Sequence, residues 1–195
     1  NFRVATVLLA SVYLGTFLVS NESYAEKPNI VVIMADDLGY GDLQCYGHPR
    51  VKTPNIDQLA RDGVRFTQHY ANGPECSPTR TAFLTGKYQQ FAGGLECAIG
   101  TGNVGRYDDA IRLANQHDLG LPADQTVLPT LVTQQGYRSA VFGKWHLGYE
   151  PKFNPKTHGW HEFFGYLGGN VHYFNHRETS DLHVLFSDDL PIYRD

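Results

Sequence analysis

Asn29-Ile30-Val31-Val32-Ile33-Met34-Ala35-Asp36-Asp37 is an apolar, largely β-branched run that ends abruptly on two acids. It lacks the apolar–polar alternation of a half-exposed strand. Its pattern is that of a parallel strand buried on both faces. Open α/β sheets place their ligands at the carboxyl ends of such strands, so this reading puts Asp36 and Asp37 at a ligand-bearing edge. Adjacent carboxylates repel unless a cation or hydrogen-bond donors neutralise them, and their hard oxygens suit Ca²⁺ or Mg²⁺. An Asx-turn with solvated acids accounts for the same pair.

Outward from this run, strands alternate with capped helices. Thr53-Pro54-Asn55-Ile56-Asp57 starts a short helix closed by Asp62-Gly63, with Thr53 as its cap and Ile56, Leu59 and Ala60 on one face. Residues 64–70 alternate and read as a half-buried strand on which His69 is a packing or surface residue. Residues 127–135 read as a helix stopped by Gly136, and 137–143 as a second buried strand. Residues 89–121 read as a long loop with one helical turn around Asp108–Asn115, its Asp108, Asp109, Arg112 and His117 solvated. The fold class is therefore α/β, with a mostly parallel sheet sandwiched by helices.

Two segments carry candidate chemistry. In Cys76-Ser77-Pro78-Thr79-Arg80, Pro78 suits a first helical position, Ser77 a cap, and Gly86 a stop after 79–85. The Cys76 thiol then sits at a helix N-terminus, which attracts anions, and Arg80 reaches back along the same face. A small buried hydrophobe is the plainer reading of Cys76. In Lys144-Trp145-His146, directly after the second strand, residues two apart on extended chain point the same way. Lys144 and His146 then face one site, or else lie on a rim. The histidines at 158, 172 and 176 lack the spacing of a transition-metal frame, and His172, Asn175 and His176 are weak candidates for substrate contact.

Composition sets the class and address. The chain has 195 residues, with 42% hydrophobic and 18% charged, which is globular rather than disordered. A net charge of -4 without a basic patch argues against nucleic acid as a partner. Arg3, the apolar run over 4–19 and Ser23-Tyr24-Ala25 give the pattern of a secretory signal peptide over 1–25, cleaved after Ala25; the alternative is an uncleaved anchor, for which the run is short. The expected location is periplasmic or secreted, with no stable membrane span after cleavage. Export permits disulfides, and Cys45 and Cys97 are either a pair or two buried thiols.

The Cys76–Arg80 segment resembles the C-x-P-x-R core of the type I sulfatase (arylsulfatase) family, with Leu84-Thr85-Gly86 at the family's distance. Residues 29–39 are similar to its opening N-[IV]-[VLI]-x-[IVL]-x-x-D-D-x-G. Residues 136–146 are similar to its second signature, G-Y-x-S/T-x-x-x-G-K-W-H, and 159–165 to its G-[FW]-x-x-F-F-G segment. Glu75 departs from the family's usual apolar or small polar residue, and Phe142 is larger than usual.

The resemblance implies an alkaline-phosphatase-like fold, present here incompletely as residues 26–195, the N-terminal part of a sulfatase catalytic domain. It implies that a formylglycine-generating enzyme converts Cys76 to formylglycine. It gives Cys76, Arg80, Lys144 and His146 catalytic roles, and makes Asp36, Asp37 and the modified Cys76 ligands of Ca²⁺, with Mg²⁺ as second choice. The implied reaction is hydrolysis of sulfate esters, sulfated glycans included: the aldehyde hydrate attacks sulfur, the alcohol departs, and loss of the second hydroxyl's proton expels sulfate and restores the aldehyde. Further ligands are expected downstream. The rivals are a phosphonate or phosphodiester hydrolase of the same superfamily, and a truncated, inactive sulfated-glycan-binding fragment.

Overall fold

The computed structural model describes residues 26–93, 95–100, 108–178, 181 and 185–193. The signal peptide expected over 1–25 lies outside these residues. No helix among them is long and apolar enough to cross a membrane. The chain divides into two compact units, 1–37 and 38–195.

The described part of the first unit, 26–37, carries no strand ladder, and Ile33 is 88% exposed. This corrects the buried strand read over 29–35. A β-branched apolar run states a preference for burial, but a parallel strand exists only through a partner delivered by a crossover connection. The half-buried strand read over 64–70 fails for the same reason: the segment is unpaired, with Val64, Phe66 and Tyr70 exposed.

The second unit holds four α-helices among its described residues: α1 (Pro54–Asp62), α2 (Cys76–Thr85), α3 (Asp108–Asn115) and α4 (Leu128–Gln134). Its sheet has four strands in the order β1-β2-β3-β4, namely β1 (Ala140–Lys144), β2 (Glu162–Tyr166), β3 (Leu185–Ser187) and β4 (Leu190–Pro191). β1 and β2 are parallel, with Phe142 opposite Phe164, and the other two pairings are antiparallel. The class is α/β and the described sheet is mixed. β2 alternates exposed and buried residues, placing Phe163 in the core beside Leu95, Leu121, Trp145 and Leu147.

In α1 the predicted apolar face is not the buried one. Leu59 is 72% exposed, whereas Asp57 is 7% exposed. Asp57 Oδ1 accepts from the Cys45 amide at 2.9 Å and from Thr53 Oγ1 at 2.8 Å. A helix this short is docked here by satisfied polar groups, which spacing of apolar residues does not reveal. Gly86 and Gly136 stop α2 and α4 in the left-handed region, at φ 67° and 80°.

A polar corner closes the sheet. Asp188 Oδ1 accepts from the Phe163 amide at 2.9 Å and lies 3.3 Å from Lys156 Nζ. The Phe163 amide and then the Lys156 ammonium hold its carboxyl below the usual carboxylate range. A depressed folded-state pKa stabilises the fold above the unfolded value, and that stability is lost as pH falls through the folded value. Asp188→Asn is therefore expected to lower Tm at neutral pH and to change it least below about pH 4, which flattens the acid limb of Tm against pH. An unaltered acid limb would remove Asp188 from that limb.

Candidate active site

α2 begins at Cys76, not after Ser77, and Glu75 is its N-cap residue. Pro78 sits inside the first turn, where amide hydrogens have no intrahelical acceptor, so its missing N–H costs nothing there. The predicted capping by Ser77 does not occur, because that hydroxyl is fully buried and engaged elsewhere. Glu75 Oε2 accepts from the Ala98 amide at 2.5 Å, tying the start of the helix to the 95–100 segment.

The helix bearing Cys76 is joined to the end of β1 by two long-range hydrogen bonds. Arg80 Nη1 donates to the Lys144 carbonyl at 2.6 Å, and Ser77 Oγ donates to the His146 carbonyl at 2.8 Å. The partners are separated by 64 and 69 residues in sequence. Ser77 Oγ also accepts from the Ile99 amide at 3.2 Å, and the Ile99 carbonyl accepts from His146 Nε2. The second unit thus gathers Cys76, Arg80, Lys144 and His146 onto one hydrogen-bonded frame.

β1 ends at Lys144, and His146 has a left-handed backbone at φ 56°. The period-two argument therefore stops at Lys144 and does not extend to His146. Lys144 is half-buried, while His146 is buried, its amide donating to the Leu167 carbonyl at 3.1 Å. Trp145 fills the core between them, and its Nε1 donates to the Phe153 carbonyl at 2.8 Å.

Asp36 and Asp37 close the first unit, both exposed, with Asp37 at φ 57°. All three cysteines are thiols: Cys97 is buried, and Cys45 and Cys76 are half-buried. His158 is a packing residue whose Nε2 donates to the Leu121 carbonyl at 2.8 Å. His172 Nδ1 accepts from the amides of Phe174 and Asn175 at 3.3 Å, so that ring shapes its own turn. Arg112 and His117 are exposed, with His117 Nδ1 2.7 Å from Glu150 Oε1. Ile99 and Ser77 are structural parts of the site that sequence reasoning missed. No motif marks a carbonyl in a loop, and Ser77 had a more familiar role as a cap.

The family described as Sulfatase matches residues 28–188. Arylsulfatase H of Homo sapiens is 41% identical over 163 residues, covering 80% of this chain and 28% of that protein. The crystal structure of Ps i-CgsB has a TM-score of 0.71 at 30% identity and covers 87% of this chain and 38% of its own. The structure of BT4656 in complex with its substrate D-glucosamine-2-N,6-O-disulfate has a TM-score of 0.62 at 27% identity, covering 87% of this chain and 28% of its own. The chain spans 22% to 30% of the length of the curated relatives it matches. The fold these neighbours share is alkaline-phosphatase-like. The match over 28–188 takes in both signature segments and the frame that joins them, and on it the chain belongs to the sulfatase family.

Proposed function

We propose that this chain bears the nucleophile side of a sulfate ester hydrolase, with Cys76 acting after conversion to formylglycine. The observation that carries the reading is the pair of bonds from Arg80 and Ser77 to the Lys144 and His146 carbonyls, which joins two remote signature segments in one frame. Cys76 opens α2, where first-turn amides favour negative charge on a nearby oxygen.

Each side chain has a distinct task. The Lys144 ammonium binds a sulfate oxygen as a compact cation. The Arg80 guanidinium, tethered by the Lys144 carbonyl, holds positive charge beside the nucleophile with little reorganisation left to do. A carbonyl only accepts, so the contact to Ile99 keeps a proton on His146 Nε2. With the proton on Nε2, Nδ1 is the acceptor that takes the working proton and then returns it from the imidazolium. Asp36 and Asp37 fit Ca²⁺ by donor chemistry, being adjacent, exposed carboxylates with hard oxygens. When bound, that ion supplies Lewis-acid polarisation of sulfate oxygen and a lowered pKa for a coordinated hydroxyl.

The substrate class we infer is a sulfated sugar, supported by the disulfated glucosamine that BT4656 takes. The maturation partner is a formylglycine-generating enzyme, in a periplasmic or secreted protein.

Mass spectrometry of the Cys76 peptide, after co-expression with a converting enzyme, is expected to show the aldehyde; an unmodified thiol would refute the nucleophile. Lys144→Ala in the full-length protein is expected to lower kcat on an aryl sulfate by about 10²–10³-fold, the scale of losing one fixed charge-stabilising donor. Unchanged turnover would remove Lys144 from the scheme.

A further inference from the structure

A linked set of groups, Gly168, Gly169, Tyr149 and Glu178, lies beside His146. Gly168 and Gly169 follow β2 after Leu167. A Cβ on Gly169 would lie 2.8 Å from two atoms of the His146 ring, so the imidazole packs on bare backbone. A Cβ on Gly168 would lie 2.5 Å from Glu178 Oε2 and 3.2 Å from the Tyr149 hydroxyl oxygen. Tyr149 donates its phenolic hydrogen to Glu178 Oε2 at 2.9 Å, so the bonded pair lies against the Gly168 backbone. Glu178 is buried. Burial first, then the bonded Glu178 carboxylate, push the Tyr149 phenol well above its usual range, so the hydrogen stays on oxygen at any working pH.

We propose that Tyr149 and Glu178 are a positioning pair for His146: the Glu178 carboxylate holds the Tyr149 hydroxyl, the bonded pair packs on Gly168, and the adjoining Gly169 backbone is the wall on which the imidazole rests. The inference deepens the reading of His146 as a proton-handling residue and rests on it. The wall works with the bond to the Ile99 carbonyl, since both meet the Nε2 end of the ring. Neither Tyr149 nor Glu178 touches the reacting atoms. Their effect is on the orientation of a group that must be aligned to within a fraction of an ångström, where a displacement of about 1 Å costs up to roughly 10²-fold in rate.

The test is a mutant cycle in the full-length protein. Tyr149→Phe and Glu178→Ala are each expected to lower kcat on an aryl sulfate by about 10-fold with KM little changed, and the double variant by no more than either alone, because the groups act in series. Glu178→Gln keeps an acceptor for the phenol and is expected to restore most of the lost kcat. Independently of turnover, NMR of ¹⁵N-histidine-labelled protein is expected to show the Nε2–H tautomer of His146 in the parent and in Glu178→Gln, and a mixture of tautomers in Glu178→Ala. Lower Tm with unchanged kcat and tautomer would overturn the proposal, as would additive losses. His146→Ala separates the two readings: if that variant keeps full turnover, the role of His146 falls, whereas the tautomer readout still judges the clamp.

Discussion

Replacing Cys76 by alanine in the full-length protein is expected to lower sulfatase turnover by roughly 10⁴-fold or more, the scale set by removal of a covalent nucleophile. Substrate binding should survive, because Lys144 and Arg80 remain and Arg80 is still held by the Lys144 carbonyl. Folding should also survive. Cys76 is only half-buried and lies at the first position of α2, where its backbone rather than its side chain builds the helix. Alanine is among the best helix formers, so the exchange costs little there. The measurement is kcat on an aryl sulfate alongside a urea unfolding curve. A variant that folds normally and retains more than a few percent of turnover would show that another group attacks sulfur.

Ser77→Ala is expected to destabilise the full-length protein by about 2–6 kcal/mol, since it orphans two buried groups at about 1–3 kcal/mol each. The hydroxyl is fully buried, donates to the His146 carbonyl at 2.8 Å and accepts from the Ile99 amide at 3.2 Å. No water replaces it without space, and alanine supplies neither donor nor acceptor. Thr79→Ala is the internal comparison. Its Oγ1 donates to the Gly73 carbonyl at 3.0 Å in a half-buried setting, so its loss should cost only about 1 kcal/mol. The check is the urea midpoint at constant m-value. If Ser77→Ala costs no more than Thr79→Ala, the hydroxyl does not couple the two segments. The same variant should also lower kcat, because Ser77 is one of the two links between α2 and the end of β1.

Local chemistry was legible wherever it is self-contained. One helical turn was read around Asp108–Asn115, where the structure has an eight-residue helix, and Gly86 and Gly136 were read as stops, because a left-handed stop needs only its own residue. Pro54 at the start of α1 belongs to the same group. Of the elements that need a partner, the strand read over 137–143 stands as β1 (Ala140–Lys144), partly exposed where burial was expected, and the others were not legible in this way. Residues 29–35 and 64–70 have strand patterns without a ladder, while β2, not singled out as a strand, pairs on both sides. The difference is that hydrogen bonds within a helix close over a few residues, whereas a strand borrows its partners from distant chain. Asp57 in α1 and His146 after β1 make the same point for side chains: each is buried because polar partners reach it from elsewhere.

From the sequence alone came the family resemblance, the α/β class, and the residue types a sulfate-handling site requires: a cysteine at a helix start, an arginine one turn on, and a lysine and histidine after a strand. Those are properties of short segments, and short segments carry them intact. Only the tertiary structure decided that Ser77 is a bridge rather than a cap, that Arg80 is held by the Lys144 carbonyl, and that His146 lies between the Ile99 carbonyl and the Gly169 backbone. The reason is physical: a buried donor takes whichever acceptor the packed core brings within about 3 Å, and spacing along the chain does not specify which one that will be.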